Sequence, residues 1–369
     1  MTGDIEAVFA RLGGELVDPD IVMPAALPLE LSGEAIRSRL CVFTDNHNRD
    51  VALRPDLTLP LALEEVKARR VGRTGACTAR YSARAFRLPV HKDDPAEFIQ
   101  VGCERYGYPA GPDIDAELYT AVVDASRAAG IANATSLLGD LAVFDAFVGA
   151  LGLSNPATQM LRRAFREDGG VEAVLEVQAG EKGDFVSGLV GVSSEDAEAC
   201  VREMMAAAGI QLVGTRTIDE VITRLVEKAN NQDIESISNE SKRMLRELMD
   251  VSVPYETAVD VLASLAQKYA IGSVDRALEN LSRRNDLMRQ NAPAFLDTAE
   301  FAVTFGRRFT YYDGFVFELI EHAADPSRPF GAGGRYDRLL ASLSGGAVDA
   351  TAIGGVVRPD RLPLSGNLS

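Results

Sequence analysis

The sequence contains little that would indicate a metal centre or a disulfide-stabilised fold. Of its 369 residues none is tryptophan, three are histidine and four are cysteine. The cysteines, Cys41, Cys77, Cys103 and Cys200, are scattered, and none belongs to a C-x-x-C pair. We therefore expect free thiols in a reducing cytoplasm, with no metal site and no cofactor.

Long apolar segments are also missing. No stretch approaches the ~20 consecutive apolar residues that a helix needs to cross a bilayer. The first residues do not show the basic and then apolar pattern of a secretory signal. The sequence therefore predicts a cytoplasmic protein that does not insert into membranes.

Basic residues are fewer than acidic residues. The formal net charge is -16, and an acidic surface repels phosphate backbones, so we expect no nucleic-acid partner. The densest basic stretch contains Lys67, Arg69, Arg70 and Arg73, directly after the apolar-rich segment 57–66. It is either the solvated end of a helix, which we favour, or a small nucleic-acid patch.

Hydrophobic periodicity divides the chain into three parts. Short apolar segments separated by turn residues predict strands up to residue 140 and again near the C-terminus, whereas helical periodicity dominates between them. Strands need partners, and the middle of the chain offers few. We therefore predict an α+β fold in which residues 1–140 and 295–369 form one discontinuous core. Its mixed, mainly antiparallel sheet is flanked by helices, and residues 141–294 form a mostly helical insertion.

Two predicted strands, 79–88 and 97–104, place polar groups on one face. Gln100, Gly102 and Glu104 alternate with apolar residues, and residues two apart in a strand share a face. An amide and a carboxylate that flank a glycine form a floor that a ligand can approach closely. This carboxylate is suited to an ammonium group. The alternative is a sheet face that is open to water.

An arginine lies at the end of the first of these strands. Arg87 stands between Phe86 and Leu88, and a buried guanidinium in such surroundings needs an anion nearby. It can hold a carboxylate through two parallel hydrogen bonds. The alternative is a structural ion pair within the protein.

Two later segments combine glycine with tyrosine. Residues 311–319 have the alternation of a strand, which places Tyr312, Gly314 and Glu318 on one face. Ordinary strand packing is the alternative explanation for the tyrosines. Residues 330–337 are so rich in glycine that they predict a turn, which leads into a helix from Arg338.

Taken in chain order, these segments resemble histidyl-tRNA synthetase. The similar segments are Leu53–Thr58, Ala85–Arg87, Phe98–Glu104, Arg307, Tyr311–Gly314, Ala332–Asp337 and Gly354–Leu362. Each is short, but their common order is specific. They span residues from about 5 to 140 and from about 300 to 362. The resemblance implies a class II synthetase-like core.

The resemblance also implies a histidine-binding site. The residues that it places there are Asp56, Thr58, Arg87, Gln100, Glu104, Arg307, Tyr311, Tyr312 and Tyr336. Asp56 is one methylene shorter than the glutamate of the family, and Thr310 replaces an aspartate. No catalytic residue is assigned.

The nucleotide side departs further from the synthetases. The family has Phe-Arg-x-Glu, whereas this sequence has Pro89 at the last position, and proline offers neither a carboxylate nor an N–H to an adenine. The following loop, 91–96, contains two aspartates that would repel phosphate. Arg358 replaces a glycine, although Arg361 is retained.

This combination resembles the synthetase-like regulatory subunit of ATP phosphoribosyltransferase, the first enzyme of histidine biosynthesis. That family keeps the synthetase core without the anticodon-binding domain. The resemblance implies a non-catalytic protein that binds and activates the short-form catalytic subunit, with histidine as the feedback effector. It also implies a homodimer within a hetero-oligomer. The alternative is an active histidyl-tRNA synthetase-like enzyme that forms histidyl-adenylate, which the retained Arg87, Arg307 and Arg361 favour.

Overall fold

The chain is described by a computed structural model in several ranges that form two compact units. The described ranges are 1–31, 34–90, 94–167, 169–176, 237–306, 311–321 and 328–362. One unit is Met1–Phe147 with Glu247–Ser369, and the other is Val148–Arg246. The domain boundaries that we expect from the sequence, after residues 140 and 294, stay a prediction.

Helices occur along the whole described chain. The α-helices there are α1 (Thr2–Ala10), α2 (Ala26–Leu31), α3 (Glu34–Arg37), α4 (Thr58–Arg70), α5 (Pro112–Ala128), α6 (Leu141–Ala150), α7 (Asn155–Phe165), α8 (Gly170–Glu176), α9 (Asn239–Met249), α10 (Ala258–Lys268), α11 (Asp275–Asn291) and α12 (Leu339–Ser344). Short 3-10 helices are Tyr255–Thr257, Pro293–Phe295 and Pro359–Arg361.

A large mixed sheet forms the core of the first unit. The strands are β1 (Glu15–Leu16), β2 (Val22–Pro24), β3 (Val42–Thr44), β4 (Asp50–Leu53), β5 (Cys77–Phe86), β6 (Glu97–Tyr106), β7 (Thr135–Asp140), β8 (Ser252–Pro254), β9 (Glu300–Ala302), β10 (Phe315–Ile320), β11 (Gly331–Arg335) and β12 (Ala352–Val357). The sheet order is β1-β5-β6-β12-β11-β10-β7-β9-β8, and a small sheet has the order β2-β4-β3. Only the β1–β5 and β7–β9 pairs are parallel within the described strands. The predicted α+β fold with a mainly antiparallel sheet is confirmed.

Helix α5 covers one face of the large sheet. Its apolar positions Leu118, Val122 and Ala125 repeat at helical spacing, and all three are fully buried. A Cβ atom at Gly355 of β12 would lie 2.7 Å from a methyl carbon of Val122, so glycine lets the helix pack closely on the strand. The opposite sheet face carries the polar side chains described below.

A buried ion network joins α5, α11 and the sheet. Arg284 of α11 contacts Asp115 at 2.9 Å and Asp140 at 2.5 Å, and Arg335 of β11 contacts Asp115 at 2.6 Å. These side chains are almost inaccessible to water, and paired charges tolerate burial where single charges do not. The network joins α11 to the other elements of the first unit.

The prediction of a glycine-rich turn at 330–337 is wrong. Residues Gly331–Arg335 form β11, a central strand between β10 and β12. A Cβ at Gly333 would lie 2.7 Å from the Phe317 ring, and one at Gly334 would lie 2.8 Å from the Tyr312 ring. The glycines therefore give room to neighbouring aromatic rings, and local turn propensity is overridden by strand pairing.

The predicted strand 311–319 also begins later than expected. Strand β10 starts at Phe315, so Tyr311 and Tyr312 precede it. Asp313 accepts hydrogen bonds from the backbone N–H groups of Asp337 (3.0 Å) and Arg338 (2.8 Å). These bonds fix the tyrosine segment against the end of β11.

The basic stretch at the end of α4 is satisfied internally. Arg69 and Arg73 each contact the buried carboxylate of Glu65 at 2.7 Å, and Arg70 donates to the Ser344 carbonyl oxygen at 2.9 Å. These contacts favour the helix-end interpretation over a nucleic-acid patch.

Neither a membrane span nor a metal cluster is found in the ranges given above. None of their helices combines the length and the apolarity that crossing a bilayer requires. Their histidine, cysteine and acidic side chains form no group of three or more that could hold a metal ion.

Candidate functional site

A cleft with ≈ 750 Å³ of atom-free space, part of it open solvent, lies on the sheet face that carries Gln100. The start of α4, strands β5, β6, β10, β11 and β12, and the 3-10 helix Pro359–Arg361 contribute to its walls. The lining side chains that carry polar groups are Asp56, Thr58, Tyr81, Arg87, Gln100, Tyr311, Tyr312, Glu318, Arg358 and Arg361.

One end of the cleft, here called the acid end, consists of Asp56, Thr58, Tyr81, Glu104 and Tyr336. Its centre is the Glu104 carboxylate, which accepts hydrogen bonds from the hydroxyls of Thr58 (2.8 Å), Tyr81 (3.3 Å) and Tyr336. Three donors from three separate segments hold this carboxylate in one orientation.

The position of Glu104 depends on a glycine in the neighbouring strand. Gly354 of β12 is paired with Glu104, and a Cβ at Gly354 would lie 1.5 Å from the carboxylate oxygen Oε2. Any larger residue would displace the carboxylate.

Burial raises the pKa of Glu104 to about 7, against the opposing effect of the hydrogen bonds from Tyr336 and Thr58. The group is therefore close to its protonation midpoint at neutral pH. A ligand cation placed beside it would favour the ionised form.

Asp56 offers an unused acceptor to the cleft. Its Oδ1 atom accepts a hydrogen bond from the Leu59 N–H at 3.1 Å, at the start of α4. Its Oδ2 atom is buried and has no hydrogen-bond partner among the described residues. Burial raises the pKa of Asp56, and the charge of Arg87 opposes this effect. Buried acceptors are normally satisfied, so this oxygen is suited to a ligand donor.

Arg87 offers the complementary charge. Its Nε atom donates to the Pro55 carbonyl oxygen at 2.7 Å, and no carboxylate of the described residues lies within 4.0 Å of its guanidinium. The structural ion pair considered from the sequence is thus not formed there. Burial lowers the pKa of Arg87, and Asp56 opposes this effect. The remaining guanidinium N–H groups are suited to a carboxylate.

Three tyrosines form an aromatic wall beside the acid end. The ring centroids of Tyr311 and Tyr312 are 4.7 Å apart, and Tyr336 lies 5.8 Å from Tyr311 and 6.2 Å from Tyr312. Such separations are typical of interacting aromatic rings. Burial raises the pKa of each hydroxyl, so all three remain protonated donors at neutral pH.

The other end of the cleft, here called the arginine end, consists of Phe98, Arg358 and Arg361. The Arg358 guanidinium carbon lies 3.6 Å from the Phe98 ring centroid, and the same guanidinium forms an ion pair with Asp360 at 2.6 Å. Arg361 donates to the Pro329 carbonyl oxygen at 3.1 Å. Burial, with a further contribution from Arg358, lowers the pKa of Arg361 to about 10.

The loop after β5 is partly described. The Asp94 side chain is 8% exposed and forms an ion pair with Arg328 at 2.8 Å. This acid is therefore neutralised by the protein itself. Residues 91–93, which also belong to the loop singled out from the sequence, lie outside the described residues.

Most of the residues expected at the site converge. Asp56, Thr58, Arg87, Gln100, Tyr311 and Tyr312 line the cleft. Glu104 and Tyr336 lie behind this wall, where each is almost completely buried. Arg307 lies outside the described residues.

Gln100 and Gly102 have structural roles that the sequence does not reveal. The Gln100 side-chain oxygen accepts a hydrogen bond from the Leu57 N–H at 3.2 Å, which joins β6 to the start of α4. A Cβ at Gly102 would lie 2.8 Å from the Tyr81 hydroxyl oxygen. The glycine therefore gives room to Tyr81, and the expected close approach of a ligand at this position is replaced by a side chain of the protein.

Four polar lining residues are absent from the histidine site expected from the sequence: Arg358 and Arg361, which the sequence assigns to the nucleotide side, and Tyr81 and Glu318. Tyr81 pairs with Gly102 across β5 and β6, and only the strand register reveals this neighbour. The alternation of residues 311–319 does indicate that Glu318 lies on the same face as Val316. Burial raises the pKa of Glu318 to about 7, and the charge of Arg361 opposes this effect.

A family model described as histidyl-tRNA synthetase matches residues 1–198 and 199–362. Curated relatives match along nearly the whole chain. A protein of Chelativorans sp. named "ATP phosphoribosyltransferase regulatory subunit" is 31% identical over 92% of this chain and 90% of its own length. A protein of Agrobacterium fabrum with the same name is 29% identical over 98% of this chain and 95% of its own length.

Solved structures show the same fold. A Bacillus halodurans structure described as an ATP phosphoribosyltransferase regulatory subunit/histidyl-tRNA synthetase has a TM-score of 0.61 at 19% identity, and the match covers 98% of this chain and 76% of that one. Histidyl-tRNA synthetase from Nostoc sp. PCC 7120 has a TM-score of 0.59 at 14% identity, with 98% and 69% covered. The chain belongs to the histidyl-tRNA synthetase family and, within it, to the group of ATP phosphoribosyltransferase regulatory subunits.

Proposed function

We propose that this chain is the regulatory subunit of an ATP phosphoribosyltransferase and that histidine, held in the cleft, is its effector. Relatives with the name of that subunit match this chain along nearly their whole length. The structural observation that carries the ligand assignment is the unpaired Oδ2 atom of Asp56 in a cleft that also contains Arg87.

The charges of the cleft suit an α-amino acid. The Asp56 carboxylate accepts the α-ammonium group, and the Arg87 guanidinium binds the α-carboxylate through charge-assisted hydrogen bonds. Because the zwitterion pairs with both Asp56 and Arg87, neither buried charge is left without a partner when the ligand is bound. The aromatic wall is left for the imidazole ring, and Glu104, behind the wall, fixes the hydroxyls of Thr58 and Tyr81 that line the cleft.

In this proposal the chain is non-catalytic and acts in the cytoplasm as a homodimer within a hetero-oligomer. It binds and activates the short-form catalytic subunit. Histidine inhibits the assembly by linkage, because a ligand shifts an equilibrium only when it binds one state more tightly than another.

The central experiment is co-purification with a short catalytic subunit, followed by phosphoribosyltransferase assays with and without histidine. We expect activation by this chain and inhibition by histidine. In Glu104→Ala the hydroxyls of Thr58, Tyr81 and Tyr336 lose their common acceptor, so histidine sensitivity should fall while complex formation persists.

The matched control is Glu279→Ala, which removes an exposed glutamate from α11 and should leave histidine sensitivity unchanged. Full histidine sensitivity in Glu104→Ala would refute the pocket assignment. Failure to activate any short catalytic subunit would refute the regulatory role.

The second candidate is an enzyme that forms histidyl-adenylate. It is favoured by Arg361, which the chain retains and which lies in the same cleft as Arg87. Histidine-dependent exchange of pyrophosphate into ATP tests it directly. We expect none above the blank, and robust exchange would exclude the non-catalytic proposal.

A further inference from the structure

Phe98 lies on the ligand side of the sheet but is hidden from the cleft. It belongs to β6 and has the same face as Gln100 and Glu104, two and six positions further along. Its ring is only 4% exposed. Apolar neighbours such as Leu57 and Ala85 pack in one cluster with it. On the cleft side, the Arg358 guanidinium, which itself lines the cleft, lies over the ring, and the Arg87 guanidinium lies further away, 5.5 Å from the ring centroid.

Arg358 is held in this position by several contacts. Its guanidinium forms hydrogen bonds of 2.6 Å and 3.2 Å to the two carboxylate oxygens of Asp360. Its backbone N–H donates to the Phe330 carbonyl oxygen at 2.7 Å. The backbone conformation (φ -104°, ψ 99°) is extended and suits any residue, so the contacts of the side chain determine its place.

The contact between Arg358 and Phe98 leaves no room for a third group. A planar guanidinium and a planar heteroaromatic ring seek the same face of an aromatic side chain. A separation of 3.6 Å is van der Waals contact, so a ligand ring can stack on this face of Phe98 only after Arg358 has moved.

We propose that Arg358 is a built-in occupant of the arginine end, which takes the stacking position on Phe98 and thereby excludes adenosine and its phosphates from the cleft. Arg358 is thus a specificity-determining residue that reserves the cleft for a small amino acid. This inference rests on the proposed function, because it assigns the remaining space of the same cleft to histidine.

An arginine at this place can also be interpreted as a phosphate-binding residue, and that role predicts the opposite effect of removing it. If Arg358 served to bind phosphate, its removal would weaken the binding of ATP and would not improve the binding of adenosine. Comparing a charged with an uncharged nucleoside ligand therefore separates the two roles.

The test is calorimetric titration of adenosine and of ATP into the full chain and into Arg358→Ala. We expect adenosine to bind Arg358→Ala about tenfold more tightly, or better, than it binds the unsubstituted protein, which is the range of base–aromatic stacking. The matched control is Arg84→Ala, an exposed arginine on the other face of β5, which should show no gain. Equal or weaker adenosine binding by Arg358→Ala would overturn the proposal.

Two further variants keep the test decisive. Asp360→Asn retains the fold-forming side chains but releases Arg358, so it should show a smaller gain in adenosine affinity and serves if Arg358→Ala does not fold. Phe98→Leu in the Arg358→Ala background should abolish the gain, and a gain that survives would show that adenosine binds elsewhere.

A separate titration with histidine tests the proposed effector in the same samples. If the unsubstituted chain does not bind histidine, the proposed effector fails whatever adenosine does.

Discussion

The two ends of the cleft use their charged groups in opposite ways. At the acid end, three hydroxyls converge on Glu104, and the Oδ2 atom of Asp56 is left without a partner among the described residues. At the arginine end, Arg358 is paired with Asp360 and stacked on Phe98. One end is prepared for a ligand, and the other is satisfied by the protein itself.

Under the proposed function, this difference is how the cleft binds a small amino acid and excludes a nucleotide within the same fold. Every arginine of the second end remains charged and half-buried or buried, but its hydrogen bonds go to protein atoms. Buried charges need partners in either case. Because protein atoms act as the partners of these arginines, the charges stay paired when no ligand is bound. The four predictions below test this contrast, beginning with the largest effect.

The largest expected effect is on the pH dependence of stability. The pKa of Glu104 is about 7 in the folded protein, against an ordinary value of 4.5. The folded protein therefore keeps a proton that the unfolded chain releases, and the free energy of unfolding falls as pH rises from 4.5 to 7. The fall amounts to about 3 kcal/mol at most, at ~1.4 kcal/mol per unit of pKa difference.

Urea unfolding of the protein and of Glu104→Gln, at intervals across this pH range, measures that contribution. Glutamine does not titrate, so the stability of the unsubstituted protein should decrease relative to that of the variant as pH rises. Glu279→Gln is the control for an exposed glutamate. Parallel curves for the protein and Glu104→Gln would mean that folding does not raise the pKa of Glu104.

The next effect concerns Asp56→Asn. Asparagine keeps the oxygen that accepts from the Leu59 N–H but removes the charge that faces the cleft. We expect histidine to bind about 30-fold more weakly, or ~2 kcal/mol, as for a charge-assisted hydrogen bond. Imidazolepropionate lacks the ammonium group and should bind both proteins equally. A loss of the same size for both ligands would point to a disturbed cleft instead.

Arg87→Gln should have a somewhat smaller effect, because Arg87 is half-buried and Asp56 is buried. We expect histidine to bind about tenfold more weakly, or ~1.4 kcal/mol. Histidinol has no carboxylate, so its affinity should not depend on Arg87. Arg84→Gln, on the opposite face of the same hairpin, is the control. Equal losses for histidine and histidinol would argue against a carboxylate contact.

The smallest effect is expected at the arginine end. Asp360→Asn breaks the ion pair between Arg358 and the partly exposed Asp360 and should change histidine affinity by no more than about threefold. Isothermal titration with histidine provides the measurement. A loss as large as that of Asp56→Asn would show that the two ends do not act separately, and the contrast between them would have to be abandoned.

Local patterns predict the strands of the site well, but not the glycine-rich segment. The predicted strand 97–104 is observed as β6 (Glu97–Tyr106), and alternation places Gln100 and Glu104 on one face. Strand β11 is missed because glycine has a low intrinsic preference for strands. Its glycines are required by rings from elsewhere in the chain, such as those of Phe317 and Tyr312, and no local pattern contains that information.

The sequence by itself determined the family resemblance, the mainly antiparallel fold and the residue types of the cleft, because these depend on periodicity and on short ordered motifs. Only the tertiary structure decided how those residues are used. Glu104 and Tyr336 are 232 positions apart, and Arg358 meets Phe98 only because β12 pairs with β6. Burial, hydrogen-bond partners and pKa values arise from such distant contacts. The unpaired oxygen of Asp56 and the covered ring of Phe98 therefore become visible only in the folded chain.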